Sequence, residues 1–288
     1  MGLDPLTSSP LLKSSTATLV TVCTALGFFL GLMGLGGEGA LLGGLGGAVF
    51  GFALDLFVSS RRARRDREQG VLDRWAAKRG LLYNASSPVF RDTPLLYAGD
   101  EQEGRYGFTG EIFGLRGTVY EHITRYKEEG SNGPGGSHCY LVLHLVFELP
   151  RIGFLHIHPR LAIVPGELEA LANRVTGSRE VNLESAGLSE RCRIEVNESC
   201  DEFRARRLLT PRATAILLDL CESEVFARGL HIEAEVGKLV FATPGRIDSE
   251  HMERVDDFLA AVQPFVVWLE DFAARSTSKP EVRNGRRS

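Results

Sequence analysis

The chain has 288 residues, a formal net charge of −4 and a hydrophobic fraction of 43%. The slightly acidic balance excludes the broad basic field of a nucleic-acid-binding domain, so no nucleic-acid partner is expected. The five cysteines are odd in number and none has C-x-x-C spacing, which argues against a disulfide framework and fits a reducing compartment.

Two apolar stretches dominate the N-terminal fifth of the chain. Residues 16–35 carry no charge, and residues 40–58 carry only Asp55. Each stretch has the length of about 20 residues that a helix needs to cross the hydrocarbon core of a bilayer. The sequence therefore predicts two transmembrane helices within residues 16–60, joined by a turn at residues 36–39 in which Glu38 stays hydrated.

Three alternatives fit the same N-terminal segment: a cleaved signal peptide, a single span with glycine-rich flanks, and a helical hairpin buried in a soluble protein. The second apolar stretch and the lack of a clear small-residue cleavage site argue against a signal peptide. The uncharged length argues against a buried hairpin. Two spans is the interpretation that we favour, and a single span stays open.

Glycines recur at helical spacing in both apolar stretches, at Gly27, Gly31, Gly43, Gly47 and Gly51. Glycine faces of the G-x-x-x-G type let the backbones of two membrane helices approach closely. We expect these faces to pack the two spans on each other. Homo-oligomerisation through the same glycines is the alternative.

Five arginines follow the second stretch directly, at Arg61, Arg62, Arg64, Arg65 and Arg67. Positive residues beside a membrane helix mark its cytoplasmic side, and each adds about 1 kcal/mol of attraction to anionic lipid. The sequence thus predicts a multi-pass protein of the cell membrane, with both chain ends and the soluble domain in the cytoplasm. The expected partners are the lipid bilayer and its anionic headgroups.

Residues 61–274 have the pattern of one α+β domain with a mainly antiparallel sheet. Residues 1–15 and 275–288 are expected to be disordered. The predicted elements are, in chain order, a helix that ends at Gly80, a short strand at 81–83, paired strands at 106–113 and 115–126, a long strand at 137–149, a return strand at 154–158, a short helix at 165–175, a strand at 193–197, a helix from Pro211 to about Cys221, a hairpin at 231–243 and a long helix at 249–272.

The long strand at 137–149 has the clearest pattern in the domain. Leu141, Leu143 and Leu145 alternate with polar residues, as in a strand with one face on the core. We therefore expect Leu143 and Leu145 to be buried and His144 to be more exposed. In the last helix, Phe258, Val262 and Phe265 recur at helical spacing and predict a buried stripe.

Histidine provides the one candidate site for chemistry. A return strand directly after Pro150 would place His144 opposite His158, with His156 one pleat away. Three imidazoles suit zinc or another borderline metal, so these three residues form a candidate metal site. Glu148 is the nearest acid on that face. The alternative is that all three are ordinary surface histidines.

No nucleotide-binding loop, nucleophile elbow or zinc-protease motif is found in the sequence. No cofactor is therefore expected, and the sequence does not decide whether the protein is an enzyme. The favoured function is a membrane-tethered cytoplasmic module for binding, scaffolding or sensing. The alternatives are a metal-dependent hydrolase that uses the histidine face, and a small oligomeric membrane assembly.

Several segments of the soluble domain carry a family resemblance. They are Trp75 to Leu81 followed by Tyr83, the strand Gly117 to Glu121, the long strand before Pro150, and the segment from Phe203 to Pro211. Together they resemble a family of membrane-anchored bacterial proteins, mostly actinobacterial, of unknown function. The resemblance covers about Val71 to Trp268. It implies the α+β architecture and the membrane anchor, and it assigns no role to any residue.

Overall fold

The computed structural model describes residues 11–90, 100–127, 134–147, 155–159, 179–181, 185–196, 206, 209–226, 229–235 and 237–277. The chain divides into two compact units, Met1–Gly70 and Val71–Ser288. Disorder was predicted for residues 1–15 and 275–288, and most of these residues lie outside the described part of the chain. Residues 11–15 belong to a helix that begins at Leu11, and residues 275–277 belong to a helix that ends at Thr277.

The first unit consists of helix α1, which spans Leu11–Lys78 and continues into the second unit. A Cβ atom added at Gly47 would lie 2.3 Å from the Cys23 carbonyl oxygen. In a straight helix, these two residues would be about 36 Å apart at 1.5 Å per residue. The chain therefore reverses direction between Cys23 and Gly47. This stretch contains the predicted turn at 36–39, and the residues of the turn keep a helical backbone.

The reversed helix packs its small residues inward and exposes large apolar ones. Gly51 is buried and Gly47 is partly buried, whereas the exposed side chains include Phe29, Leu30, Phe50, Phe52, Leu56 and Phe57. We call the parts of α1 before and after the reversal its two arms. Glycine has no side chain, so the two arms can approach at backbone contact distance. Among the residues that the structure describes, no helix has the length and apolar character required to span a membrane.

Gly47→Ala is expected to disrupt the contact between the two arms of α1. The added Cβ would overlap the Cys23 carbonyl, which is backbone and cannot rotate away. Gly46→Ala is the matched control, because a Cβ there has nothing within 4 Å and gains the same helix propensity. Relative to Gly46→Ala, we expect Gly47→Ala to cost about 1–3 kcal/mol of stability.

The arm contact is measured by the distance between spin labels at Val22→Cys and Val49→Cys, two exposed positions, after removal of the native cysteines. In the parent and in Gly46→Ala, the distance should be well below the roughly 40 Å of a straight helix. In Gly47→Ala, the distribution should broaden and lengthen. A straight-helix distance in the parent, or identical distributions in both variants, would contradict the arm contact.

Among the described residues, the second unit contains nine antiparallel strands in one sheet, in the order β1-β2-β3-β4-β9-β8-β5-β7-β6. The strands are β1 Leu82–Ser87, β2 Glu101–Ile112, β3 Leu115–Lys127, β4 Pro134–Phe147, β5 Leu155–Pro159, β6 Arg179–Glu180, β7 Cys192–Val196, β8 His231–Glu235 and β9 Gly237–Pro244. The helices are α2 Ala186–Arg191, α3 Pro211–Glu222 and α4 Glu253–Thr277, with a 3₁₀ turn at Glu224–Phe226. The predicted α+β class, antiparallel sheet and long C-terminal helix are confirmed. The short helix predicted at 165–175 lies outside the described residues.

One face of the sheet forms the hydrophobic core with α3, α4 and the end of α1. Phe258, Val262 and Phe265 of α4 are buried there, as their helical spacing predicted. Thr210 caps α3 by accepting a hydrogen bond from the Ala213 amide, and Pro211 follows at the first helical position.

The end of α1 is fixed to α4 by a polar cluster. Gly80, with φ of +69°, ends the helix, and the Leu81 amide donates to the Ala76 carbonyl in a Schellman arrangement. Trp75 packs edge-on against Phe108, with ring centroids 4.7 Å apart. The Arg79 guanidinium lies 4.2 Å above the Trp75 ring and pairs with Asp256 of α4. These contacts hold the last turn of α1 against α4 within the second unit.

Strand β4 has the predicted phase, but its second face is buried too. Leu143 and Leu145 are inaccessible to solvent, as expected. His144 is only 8% exposed and stacks on Phe90, with ring centroids 3.9 Å apart. His144 is therefore more exposed than the two leucines, as expected, but only slightly, because the middle of the sheet is covered on both faces.

Candidate metal centre

The face of the sheet opposite the core carries a row of buried polar residues. Register places His156 of β5 directly between Glu233 of β8 and Glu195 of β7. The next row on the same face contains His158, opposite Arg193, and His231 of β8. Alternate residues of a strand point to one face, so these side chains share a single surface.

His144 does not belong to this cluster. The predicted pairing of β4 with β5 is wrong, because β9 and β8 lie between them in the sheet. Three strand spacings amount to about 14 Å, too far for one metal ion to bridge. Glu148, the acid expected beside the histidines, lies outside the described residues. Of the predicted ligands, the structure brings together His156 and His158.

The donors that do converge are His156, His158 and Glu195. One ligand atom from each lies within 4.8 Å of the other two. The imidazole rings of His156 and His158 stack with centroids 4.7 Å apart. The Glu195 Oε1 atom lies 3.8 Å from the His158 Nε2 atom. Two strands thus supply two imidazoles and one carboxylate to one point.

His231 lies beside these three donors, outside the 4.8 Å group, and sequence reasoning missed it. Its ring is nearly parallel to the other two, with centroids 6.0 Å from His156 and 6.3 Å from His158. Its Nδ1 atom is buried and has no hydrogen-bond partner among the described residues. A buried nitrogen without a hydrogen-bond partner lowers the stability of the fold, and a bound metal ion would supply that partner. We refer to His156, His158, Glu195 and His231 as the histidine site.

Burial keeps two of these imidazoles in the form that binds metals. Desolvation, with smaller contributions from His158 and His231, holds the pKa of His156 well below its ordinary value of 6.5. Desolvation, followed by the effect of His158, lowers the pKa of His231 to about 3. Both rings are therefore neutral at physiological pH. Metal ions bind the neutral form, so no proton must be displaced from either ring.

An arginine orients the carboxylate of the histidine site. Arg193 Nε lies 3.0 Å from Glu195 Oε1 and 3.3 Å from Glu180 Oε2 on the neighbouring strand. Glu195 itself is only 3% exposed, so a partner of opposite charge is needed to hold it ionised. Such an outer contact fixes the orientation of a metal-binding carboxylate.

The donor set fits zinc after small side-chain adjustments. Zinc–nitrogen bonds of about 2.0–2.1 Å place the donors of a tetrahedral site roughly 3.3 Å from one another. Separations of up to 4.8 Å therefore close through rotation of the side chains, without movement of the strands. Imidazole and carboxylate together are typical ligands of zinc and of other borderline divalent metals.

Another buried histidine, His122 of β3, also lies outside the histidine site. Register places it opposite Gly104 of β2 and Tyr140 of β4. Neither ring nitrogen has a hydrogen-bond partner among the described residues, and burial lowers its pKa to about 4. Because β9 and β8 separate β4 from β5, His122 does not join the metal ligands.

His122 is expected to make the domain sensitive to acid. Its pKa is about 4 in the folded state and about 6.5 unfolded, so between these values the unfolded chain binds more protons. Stability should therefore fall as the pH is lowered through this window, by up to about 3 kcal/mol from this one residue. His122→Leu should flatten the pH dependence of urea unfolding between pH 7 and 4. An unchanged slope would contradict this assignment.

Comparison with known proteins does not assign a family or a function to this chain. No family model and no curated protein match the chain. A solved structure that does match is the crystal structure of the mycobacterial trehalose monomycolate transport factor A. It is 14% identical, with a TM-score of 0.37, and the match covers 67% of this chain and 93% of that one. A likeness this weak carries no inference about function.

Proposed function

We propose that this protein is a membrane-tethered module whose globular domain binds one divalent transition-metal ion, with zinc as the best match, at the histidine site. The observation that carries the proposal is the convergence of His156, His158 and Glu195, with donor atoms within 4.8 Å of one another. We propose that His231, whose ring centroid lies 6.0 Å from that of His156, turns toward the metal and completes a set of four. Zinc bound only by protein groups is almost always four-coordinate.

The enclosure of the site favours metal binding over metal-dependent hydrolysis. A catalytic zinc keeps one coordination position for water or substrate, whereas a structural zinc is coordinated fully by protein. His156 and His231 are buried, and the proposed set of four protein donors would leave no position open. A metal there would join β5, β7 and β8, so its binding free energy would stabilise that part of the sheet. This role suits a sensory or scaffold domain.

Three features support the membrane tether. The two uncharged stretches each have the length of a span. Backbone contact between Gly47 and Cys23 is the close approach that glycine faces permit in membrane helices, and large apolar side chains point outward. The five arginines from Arg61 to Arg67 are all exposed, where anionic headgroups would meet them. We therefore propose a multi-pass anchor with the domain on the cytoplasmic side.

Packing within one chain is favoured over homo-oligomerisation through the glycines. Gly47 already faces the backbone of Cys23 in the same chain, and Gly51 is buried. A second copy would have to displace that contact. Gly27 is partly buried, and the burial of Gly31 and Gly43 is not among the described features.

Zinc stoichiometry tests the metal proposal. The full-length chain is purified in detergent without a polyhistidine tag, stripped with a chelator, reloaded with zinc and freed of excess metal by gel filtration. Mass spectrometry of the metal should give about one zinc per chain. Free zinc at 100 times the dissociation constant should add about 2.7 kcal/mol of stability. A metal content no higher than that of the stripped protein, with an unchanged melting temperature, would rule out the site.

Labelling of single cysteines in intact cells tests the anchor. After the native cysteines are replaced, an impermeant thiol reagent should modify Glu38→Cys in the predicted outer turn. Asn84→Cys, at an exposed position of the domain, should stay protected until lysis. Reaction at position 84 in intact cells would overturn the topology. Reaction of Ser9→Cys in intact cells, with position 84 protected, would indicate a single span.

A further inference from the structure

Two thiols lie in contact on the core side of the sheet, away from the histidine site. Cys192 caps the C-terminus of α2 and begins β7, while Cys221 belongs to the last turn of α3. Their Sγ atoms are 2.8 Å apart, and both thiols are free. The two residues are 29 positions apart in the chain, so their contact comes from the tertiary fold.

Neighbouring contacts hold the two sulfurs in place. Arg191 and Glu222, the residues next to the two cysteines, form an ion pair with a separation of 3.0 Å. The Cys192 amide donates to the Leu188 carbonyl and fixes the end of α2. Because a disulfide bond is about 2.05 Å long, the sulfurs need to approach by only about 0.8 Å to form one.

The surroundings give the two thiols different chemical roles. The hydrogen bond between the two thiols, assisted by the charge of Arg191, lowers the pKa of the Cys192 thiol. The same hydrogen bond raises the pKa of the Cys221 thiol. Cys192 is therefore the nucleophile of the pair. Cys221 is only half-buried, so small oxidants and reductants reach the pair from its side.

We propose that Cys192 and Cys221 form a reversible disulfide on exposure to a small peroxide. The Cys192 thiolate attacks one oxygen of hydrogen peroxide, the O–O bond breaks, and a sulfenic acid and water form. The Cys221 thiol then attacks the Cys192 sulfur, with loss of a second water. In total, two thiols are oxidised by two electrons and one peroxide is reduced to two waters. A low-molecular-weight thiol reverses the bond by exchange.

The disulfide would fasten α3 to the strand that bears Glu195. It closes a loop of about 30 residues, which restricts the unfolded chain and should raise the melting temperature of the domain by about 5–10 °C. The proposal is independent of the metal, because neither sulfur belongs to the histidine site.

Peptide mapping of the full-length chain tests the disulfide. The protein is treated with hydrogen peroxide under native conditions, its free thiols are alkylated, and the digest is analysed with and without reductant. We expect a linked peptide that contains Cys192 and Cys221 and disappears on reduction. Cys139 is the internal control: it is half-buried beside Arg246, at 3.3 Å, and should not enter this crosslink.

Melting temperatures of the variants complete the test. Peroxide should raise the melting temperature of the parent and of Cys139→Ser, and reductant should reverse the rise. In Cys221→Ser and Cys192→Ser, the rise should be absent. The proposal is overturned if the folded parent gives no linked peptide, or if Cys192 is recovered mainly in other crosslinks. The zinc content of the same samples is measured in parallel, so that a failure to form the disulfide can be distinguished from a failure to bind zinc.

Discussion

His156→Gln is expected to weaken zinc binding more than about 100-fold, which corresponds to roughly 2.7 kcal/mol. The substitution removes one of four ligands and keeps a polar side chain of similar size. The loss should exceed the 10- to 100-fold that follows removal of an outer-shell partner, because the imidazole binds the metal directly. Competition with a chromogenic chelator measures the dissociation constant. His158→Gln and His231→Gln should show losses of the same order.

His144→Gln is the matched control for the metal ligands. His144 lies on the same face of the same sheet and is 8% exposed, against 6% for His156. The same substitution there should leave zinc affinity unchanged, because β9 and β8 separate β4 from β5. Comparable losses at positions 144 and 156 would mean that the effect comes from altered folding. An unchanged affinity in His156→Gln would exclude this residue as a ligand.

Leu143→Ala is expected to lower the free energy of unfolding by about 2–5 kcal/mol, because it empties a site in the closed core. Leu143 is inaccessible to solvent and pairs with Val119 of β3 and Phe241 of β9, which are also buried. Val146→Ala is the control on the same strand. Val146 is 45% exposed, so its truncation should cost less than about 1 kcal/mol. Urea unfolding of both variants gives the difference, and equal losses would contradict the core assignment.

The pattern of β4 shows what local sequence predicts well. Alternation of leucine with polar residues has a period of two, and this period alone places Leu143 and Leu145 on the core face. The burial of His144 on the other face could not be predicted in the same way. It depends on Phe90, which comes from a segment more than 50 residues earlier in the chain. No local pattern encodes such a contact.

The histidine site was only half predicted, because strand order is a long-range property. Consecutive strands are neighbours in roughly two-thirds of cases, which made β4 and β5 the natural pair. The hairpin of β8 and β9, about 75 residues further along the chain, lies between them instead. A weaker signal was present in the sequence, because three otherwise apolar strands each carry two polar residues on one face. These pairs are His156 and His158, Arg193 and Glu195, and His231 and Glu233. Three such strands in one sheet indicate a buried polar cluster.

The N-terminal segment was easier to interpret, because glycine spacing is a local signal. The recurrence of Gly43, Gly47 and Gly51 at every fourth residue marks a helix face that can approach another backbone. The partner could be predicted less well, since the same face suits a second copy of the chain. The position of Gly47 against Cys23 favours the intramolecular partner.

X-ray absorption at the zinc edge of the metal-loaded, full-length protein tests the central claim most directly, because it identifies the ligand atoms. The histidine site predicts a shell of about four nitrogen and oxygen atoms at roughly 2.0–2.1 Å, with the outer-shell scattering of two or three imidazoles. The cysteines of the domain, Cys192 and Cys221 among them, are competing donors, and they would contribute sulfur at about 2.3 Å. A spectrum with nitrogen, oxygen and imidazole scattering alone is the predicted result. Sulfur in the first shell, or no imidazole signal, would contradict the assignment of the metal centre.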